Sequence, residues 1–168
     1  PSLLNNNYSI TVNTAIHTIL PATLNVIANN SSHVYGNTFN LFNNITFVGL
    51  KNSNTPNDVF TTLPTVYTNT SNLSPVGTYP ILFNNGILST NNYTVIYSIG
   101  NLNIQKRSLI IFNSDTSITY GSAIALTQVK FSGFINADNE YNAIDSIPYS
   151  YTSSTPINVN KYVQWISI

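Results

Sequence analysis

Tyr93-Thr-Val-Ile-Tyr97-Ser-Ile-Gly100-Asn-Leu102-Asn-Ile104 is the stretch from which the rest of the chain can be read. Tyr93, Val95 and Tyr97 take alternate positions, broken only by Ile96, and Leu102 and Ile104 alternate with Asn101 and Asn103. A period of two belongs to a strand with one face on a core and the other in water. Apolar residues hold odd positions before Gly100 and even positions after it, so the inward face switches there, as at a bend or bulge.

The pattern recurs 85 residues earlier, where Leu4-Asn-Asn-Asn7-Tyr8-Ser-Ile10 lies on Ser89-Thr-Asn-Asn92-Tyr93-Thr-Val95. Tyr8, Ile10 and Val12 alternate there with Ser9, Thr11 and Asn13. The same offset places Leu24-Asn-Val-Ile-Ala and Tyr35-Gly36 on Leu109-Ile-Ile-Phe-Asn and Tyr120-Gly121. One residue is then lost, and Phe47-Val-Gly49-Leu50 falls on Phe131-Ser-Gly133-Phe134, with Leu63-Pro64 and Tyr67 on Ile147-Pro148 and Tyr151. A fixed period of this length marks repeated structural units.

Three segments follow from the offset. Residues 1–22 read as tail strands equivalent to the end of a repeat, 23–107 as one whole repeat, and 108–168 as a second repeat lacking its terminal strands. The expected fold is all-β, as tandem small repeats of the β-sandwich, Ig-like or β-grasp-like kind, with at most one short helical turn in each. The turn in the first repeat is expected at Thr55-Pro56-Asn57-Asp58-Val59-Phe60, where Thr suits a cap and Pro the first turn. Gln105, Lys106, Arg107 and Ser108 are all that separates the last strand of one repeat from Leu109–Phe112 of the next. So short a link, neither Gly-rich nor Pro-rich, predicts a semi-rigid row.

The ordered motifs resemble a known family, the MBG-type repeats that occur in tandem in large bacterial surface adhesins and related extracellular proteins. The resemblance rests on Tyr35-Gly36, on Gly49-Leu50 where the family favours Gly-Phe, and on Ser74-Pro75-Val76-Gly77-Thr78-Tyr79-Pro80-Ile81. It continues through Leu88-Ser89-Thr-Asn-Asn92-Tyr93 and closes on Gly100-Asn-Leu102-Asn-Ile104-Gln-Lys106. The second repeat keeps Tyr120-Gly121 and Gly133-Phe134 but has Thr155-Pro156-Ile157-Asn158 for the Ser-Pro-Val-Gly block. The resemblance implies a small β domain serving as spacer or adhesive module, with no catalytic residue and no cofactor. The motif residues also have plain physical duties: Gly36, Gly77 and Gly121 suit positive φ at turns, the prolines suit strand ends, and Tyr35, Tyr93 and Tyr120 suit core or corner positions.

Composition narrows the function. Only 6% of residues are charged, against roughly 25% in an average domain, while Asn, Ser and Thr supply about 40%. Five basic and five acidic residues cancel, so no electrostatic footprint points to nucleic acid or an anionic membrane. There is no Cys, hence neither a disulfide framework nor a thiolate metal site. There is no Met, so Pro1 is not an initiator and the numbering is expected to begin inside a longer product. The most apolar run, Ile16–Leu24, is broken by His17, Thr18, Pro21 and Thr23 and is too short to span a bilayer.

Tests for chemistry come out weak. His17 and His33 are the only histidines, and at offset 85 they fall on Leu102 and Ile118, strand positions that the other repeat fills with apolar residues. Asp138, Glu140 and Asp145 form the densest acidic cluster and are the one Ca²⁺ candidate, but their spacing matches no calcium loop and a solvated loop is the simpler reading. Lys106-Arg107 reads as a solubilising pair. Glycosylation triplets start at Asn7, Asn29, Asn30, Asn44, Asn69, Asn72 and Asn92, close to the number that 28 Asn and this Ser/Thr content produce by chance.

The sequence therefore predicts a non-catalytic structural protein, extracellular or at a cell surface, with a virion surface as the alternative. Because the tail and the tail-less repeat are out of phase, one expectation is that residues 1–22 complete the last repeat of another copy. Tyr8, Ile10, Val12, Ile16 and Ile19 would then enter its core and build a head-to-tail filament by strand addition. The competing expectation is a window on a longer covalent adhesin array. A third is a glycan- or host-binding module using exposed Tyr, Asn and Trp165.

Overall fold

The computed structural model describes residues 7–122, 129–148, 150–152 and 164–166. Its first unit is built on β1 (Ala22–Ala28), β2 (Ser31–Val34), β3 (Ile45–Val48), the one-turn helix α1 (Pro56–Val59), β4 (Phe60–Thr62) and β5 (Thr65–Tyr67). It is completed by β6 (Gly77–Asn84), β7 (Ile87–Leu88), β8 (Tyr93–Ser98) and β9 (Gly100–Gln105). One sheet has the order β3-β1-β8 and the other β2-β9-β6-β5, with β4 and β7 as a separate pair. The second unit shows β10 (Ile110–Phe112), β11 (Lys130–Ser132), the one-turn helix α2 (Glu140–Ala143), β12 (Ser150–Thr152) and β13 (Gln164–Ile166). The fold is all-β with two short helices among the described residues, one in each unit.

The stretch 93–104 decides how the two sheets connect. Tyr93, Val95 and Tyr97 face one core cluster with Leu24, Val26, Val59 and Phe60, whereas Leu102 faces a second with Ala28, Leu41 and Ile81. Phe83 touches both. The inward face therefore changes between Ser98 and Gly100 because the chain leaves one sheet and enters the other. β1 and β2 make the same crossing alongside: β1 runs parallel to β8 from Ala22↔Tyr93, and β2 parallel to β9 from Ser31↔Leu102, with no slip between them. Gly100 is where the crossing chains come closest, since any Cβ there would collide with the carbonyl oxygens of Ala28 and Asn29. Asn30 Oδ1 accepts from Asn101 N at 2.8 Å, satisfying a donor at the break between the ladders.

α1 forms as its residues dictate. Asp58 Oδ2 accepts from both the backbone N–H and the hydroxyl of Thr55 at 2.7 Å, and Pro56 opens the turn. These two hydrogen bonds hold the Asp58 carboxyl below its ordinary range.

Two sequence expectations need correction. Gly77 is not a positive-φ turn residue: it starts β6, paired with Ile104, and the left-handed glycines are Gly36, Gly49, Gly121 and Gly133. Pro80 lies inside β6 rather than at a strand end; it sits opposite Asn101 of β9, and the ladder to β5 begins only at Leu82, so no partner needs its missing N–H. Residues 8–21 form no strand within this chain. Leu4, Thr155, Pro156, Ile157 and Asn158 lie outside the described residues.

The two units agree in detail where both are described. β1 pairs with β3 through Asn25↔Val48, Val26↔Phe47 and Ile27↔Thr46, and β10 pairs with β11 through Ile110↔Ser132, Ile111↔Phe131 and Phe112↔Lys130. Gly49 (φ +111°) turns beneath Thr23 O, and Gly133 (φ +116°) beneath Ser108 O. α2 falls 84 residues after α1, capped by Asn139 in the place of Thr55.

Candidate assembly interface

The joint between the units is built from few residues. The turn after β2 places Tyr35 and Gly36 against the start of the second unit, and Tyr35 Oη donates to Asp138 Oδ2 at 3.1 Å. Arg107 Nη1 donates to Tyr35 O at 3.3 Å and to Asn37 Oδ1 at 3.1 Å, while its Nε donates to Gly133 O at 3.1 Å. Ile135 lies directly over Gly36, where any Cβ would collide with it. The φ of +82° is what favours glycine there, since the atom approached is the tip of the Ile135 side chain, which can swing aside. The bond to Asp138, helped by partial burial and the carboxylate charge, raises the Tyr35 hydroxyl above its ordinary pKa.

Sequence reading missed this joint. Arg107, taken as half of a solubilising pair, instead ties both units together through backbone carbonyls. The available signal was the recurrence of Tyr-Gly at the end of β2 and in the matching turn at 120–121, where no hairpin explains it.

The predicted site residues fall in separate places. Tyr8, Ile10, Val12, Ile16 and Ile19 are all exposed. Asp138 is engaged by Tyr35, Glu140 opens α2 and Asp145 follows it; among the described residues no three His, Cys, Asp or Glu side chains gather to hold a metal ion. His17 is exposed, outside any strand. His33 is 8% exposed in β2, stacked on Phe39 at 4.5 Å between centroids, with no hydrogen-bond partner on either ring nitrogen. Tyr93 is a core residue whose hydroxyl accepts from Lys51 N at 2.9 Å, whereas Tyr120 is 75% exposed and so is not one.

The asparagines of the glycosylation triplets divide by environment. Asn29 Oδ1 accepts from Thr46, Asn30 Oδ1 from Asn101, and Asn44 Nδ2 donates to Asn29 O, so these three secure strand ends. Asn72 is half-buried and its carbonyl accepts from Gly36 N, while Asn7, Asn69 and Asn92 are exposed.

Residues 24–103 match the family model of the MBG domain (YGX type). The match covers β1 through most of β9, and Tyr35-Gly36, the pair in the joint, lies within it. MBG domains occur in surface adhesins and are not a family of enzymes, which points to an extracellular, adhesin-like repeat module. No curated protein and no solved structure matches the chain. Among the described residues no helix is long and apolar enough to cross a membrane.

Proposed function

We propose that the chain is a non-catalytic structural module of an extracellular or cell-surface fibre, in which the N-terminal segment of one copy completes the second unit of the next. On this reading 23–107 is a whole MBG-type repeat and 108–168 a repeat of the same kind without its last strands. The observation that carries it is a contrast in burial at matched positions. Leu24 is fully buried between β3 and β8, while Leu109, its counterpart, is 36% exposed.

The strand that covers Leu24 is β8, and Tyr8–Asn13 stand 85 residues before it. Transferring the observed ladder puts Ile10 opposite Leu109 and Val12 opposite Ile111, parallel, with Ile19 opposite Ile118 in the second sheet. Each such side chain contributes about 1.5 to 3 kcal/mol on burial, against about 1 to 2 kcal/mol of backbone entropy per ordered residue. The margin comes from hydrogen bonds along the open side of β10.

Deleting residues 1–18 tests the reading. Sedimentation velocity and electron microscopy are expected to show loss of head-to-tail assembly, and a truncated chain that assembles as well as the intact one refutes strand donation. The hydrogen-bonded joint also suits a spacer in a continuous array, and mass spectrometry of isolated fibres separates the two. A subunit near 18.5 kDa supports donation; a mass of many such units supports the array.

A further inference from the structure

We propose that the Tyr120–Gly121 turn is a docking element that seats against Pro21, Ala22, Lys51 and Asn54 of a second copy, repeating between chains the joint that Tyr35–Gly36 makes within one. The inference deepens the head-to-tail reading above and rests on a different observation. The turns are the same object: Gly36 has φ +82° and Gly121 +84°, and the closing bonds are Asn37 N to Val34 O at 2.9 Å and Ser122 N to Thr119 O at 3.0 Å. Their surroundings differ. Gly36 is covered by Ile135 and Tyr35 is bonded to Asp138, whereas nothing lies within 4 Å of a Cβ on Gly121 and Tyr120 points into solvent.

The receiving surface is present at the other end of the chain. The hollow at the joint is lined by Lys106, Arg107, Gly133, Ile135 and Asp138, with Tyr35 reaching into it. One repeat earlier these positions are Pro21, Ala22, Gly49, Lys51 and Asn54. Pro21, Ala22, Lys51 and Asn54 do line a second hollow, beside Tyr93, and Gly49 has the backbone of Gly133. A second copy thus carries a seat of matching backbone for the Tyr120 turn.

The chemistry of that seat is milder. Asn54 stands for Asp138, so the bond to the incoming tyrosine hydroxyl is neutral instead of charge-assisted and is shared with Tyr93 Oη, which donates to Asn54 Oδ1 at 3.1 Å; Ala22 stands for Arg107, removing the clamp on the turn carbonyl. Lys51 replaces Ile135, so its aliphatic stem covers Gly121 while the ammonium reaches the exposed carbonyls of the turn. A reversible contact between copies follows, weaker than the fixed joint within one.

The chain has no cysteine, which makes disulfide trapping clean. Tyr120→Cys and Asn54→Cys chains, each otherwise full length, are mixed under mild oxidation. The expected result is a mixed dimer formed at least fivefold faster than between Tyr120→Cys and the exposed control Thr94→Cys; equal rates overturn the docking. Asn54→Asp restores the acceptor of the internal joint, and its self-association, read by sedimentation, is expected to tighten by about three- to tenfold at neutral pH. Selective trapping together with undiminished assembly after deletion of residues 1–18 upholds the docking while strand donation falls. Assembly that is lost on that deletion, with no selective trapping in the intact chain, does the reverse.

Discussion

β1 with β3 and β10 with β11 are the same hairpin partners in the same register, each lying over a left-handed glycine, yet they differ in what surrounds them. β1 is a central strand with β8 on its other side, and Leu24 and Val26 are sealed by Tyr93, Val95 and Tyr97. Among the described residues β10 has only β11 beside it, and at the positions matching Leu24 and Val26, Leu109 is 36% exposed and Ile111 only half-buried. Local sequence is thus enough to set the pairing, while the core depends on strands some 70 residues away in the same unit. The difference teaches that in the first unit β8 and β9 close the core that β1 and β3 begin.

The largest effect that sharpens this comparison is expected at Leu24 and Leu109. Leu24→Ala costs about 3 to 5 kcal/mol in urea unfolding, because it leaves a cavity under two sheets, while Leu109→Ala costs about 1 kcal/mol or less in the isolated chain. In assembled material the second figure is expected to approach the first; if both stay apart, β10 gains no cover from another copy. Next comes the crossing. Gly100→Ala drives a methyl into the carbonyls of Ala28 and Asn29, costing about 1 to 3 kcal/mol, and an unchanged unfolding midpoint refutes the close approach.

A smaller effect runs the other way at His33, whose counterpart is Ile118. A buried imidazole with neither nitrogen bonded is a cost, partly offset by its stacking on Phe39, so His33→Leu is expected to stabilise the first unit by about 1 kcal/mol in the same unfolding assay. A destabilised variant shows that a ring nitrogen is satisfied after all.

The smallest effects are pH-dependent and carry opposite signs at α1 and at the joint. Asp58 has a lowered carboxyl pKa from the Thr55 bonds, so its contribution is complete above the ordinary value of about 4 and fades as pH falls through the lowered one. Asp58→Asn is expected to flatten the acid limb of stability against pH. Tyr35 has a raised pKa from its bond to Asp138, so the joint is intact below about pH 10 and loosens as pH rises through the raised value. In spectrophotometric titration, Tyr35→Phe is expected to remove one tyrosine transition that lies above the ordinary value; an unchanged curve rules out the Asp138 bond in solution.

Much of the fold was legible because it depends on short-range pattern. Alternation at 93–97 and 101–104 marked two strands and the switch between them, and Thr55-Pro56 marked α1 through the preferences of a helix's first turn. Gly77 and Pro80 were misplaced for one reason: residue type alone does not say which side of a strand carries the ladder, and β6 changes partner from β9 to β5 along its length. The joint went unread because Tyr35, Arg107 and Asp138 are linked by contacts across 72 and 103 residues, and the recurring Tyr-Gly pair by itself names no partner.

The sequence by itself determined that this is a repeated all-β module, since period-two burial and an 85-residue offset are properties of residue order and need no partner. It also determined which glycines recur. Only the tertiary structure decided which strands share a sheet, that the chain crosses between sheets at Gly100, and that Arg107 and Tyr35 lock one unit to the next. Those outcomes depend on the direction of hydrogen-bonding groups and on close approach between distant segments, which are set when the core closes and not before.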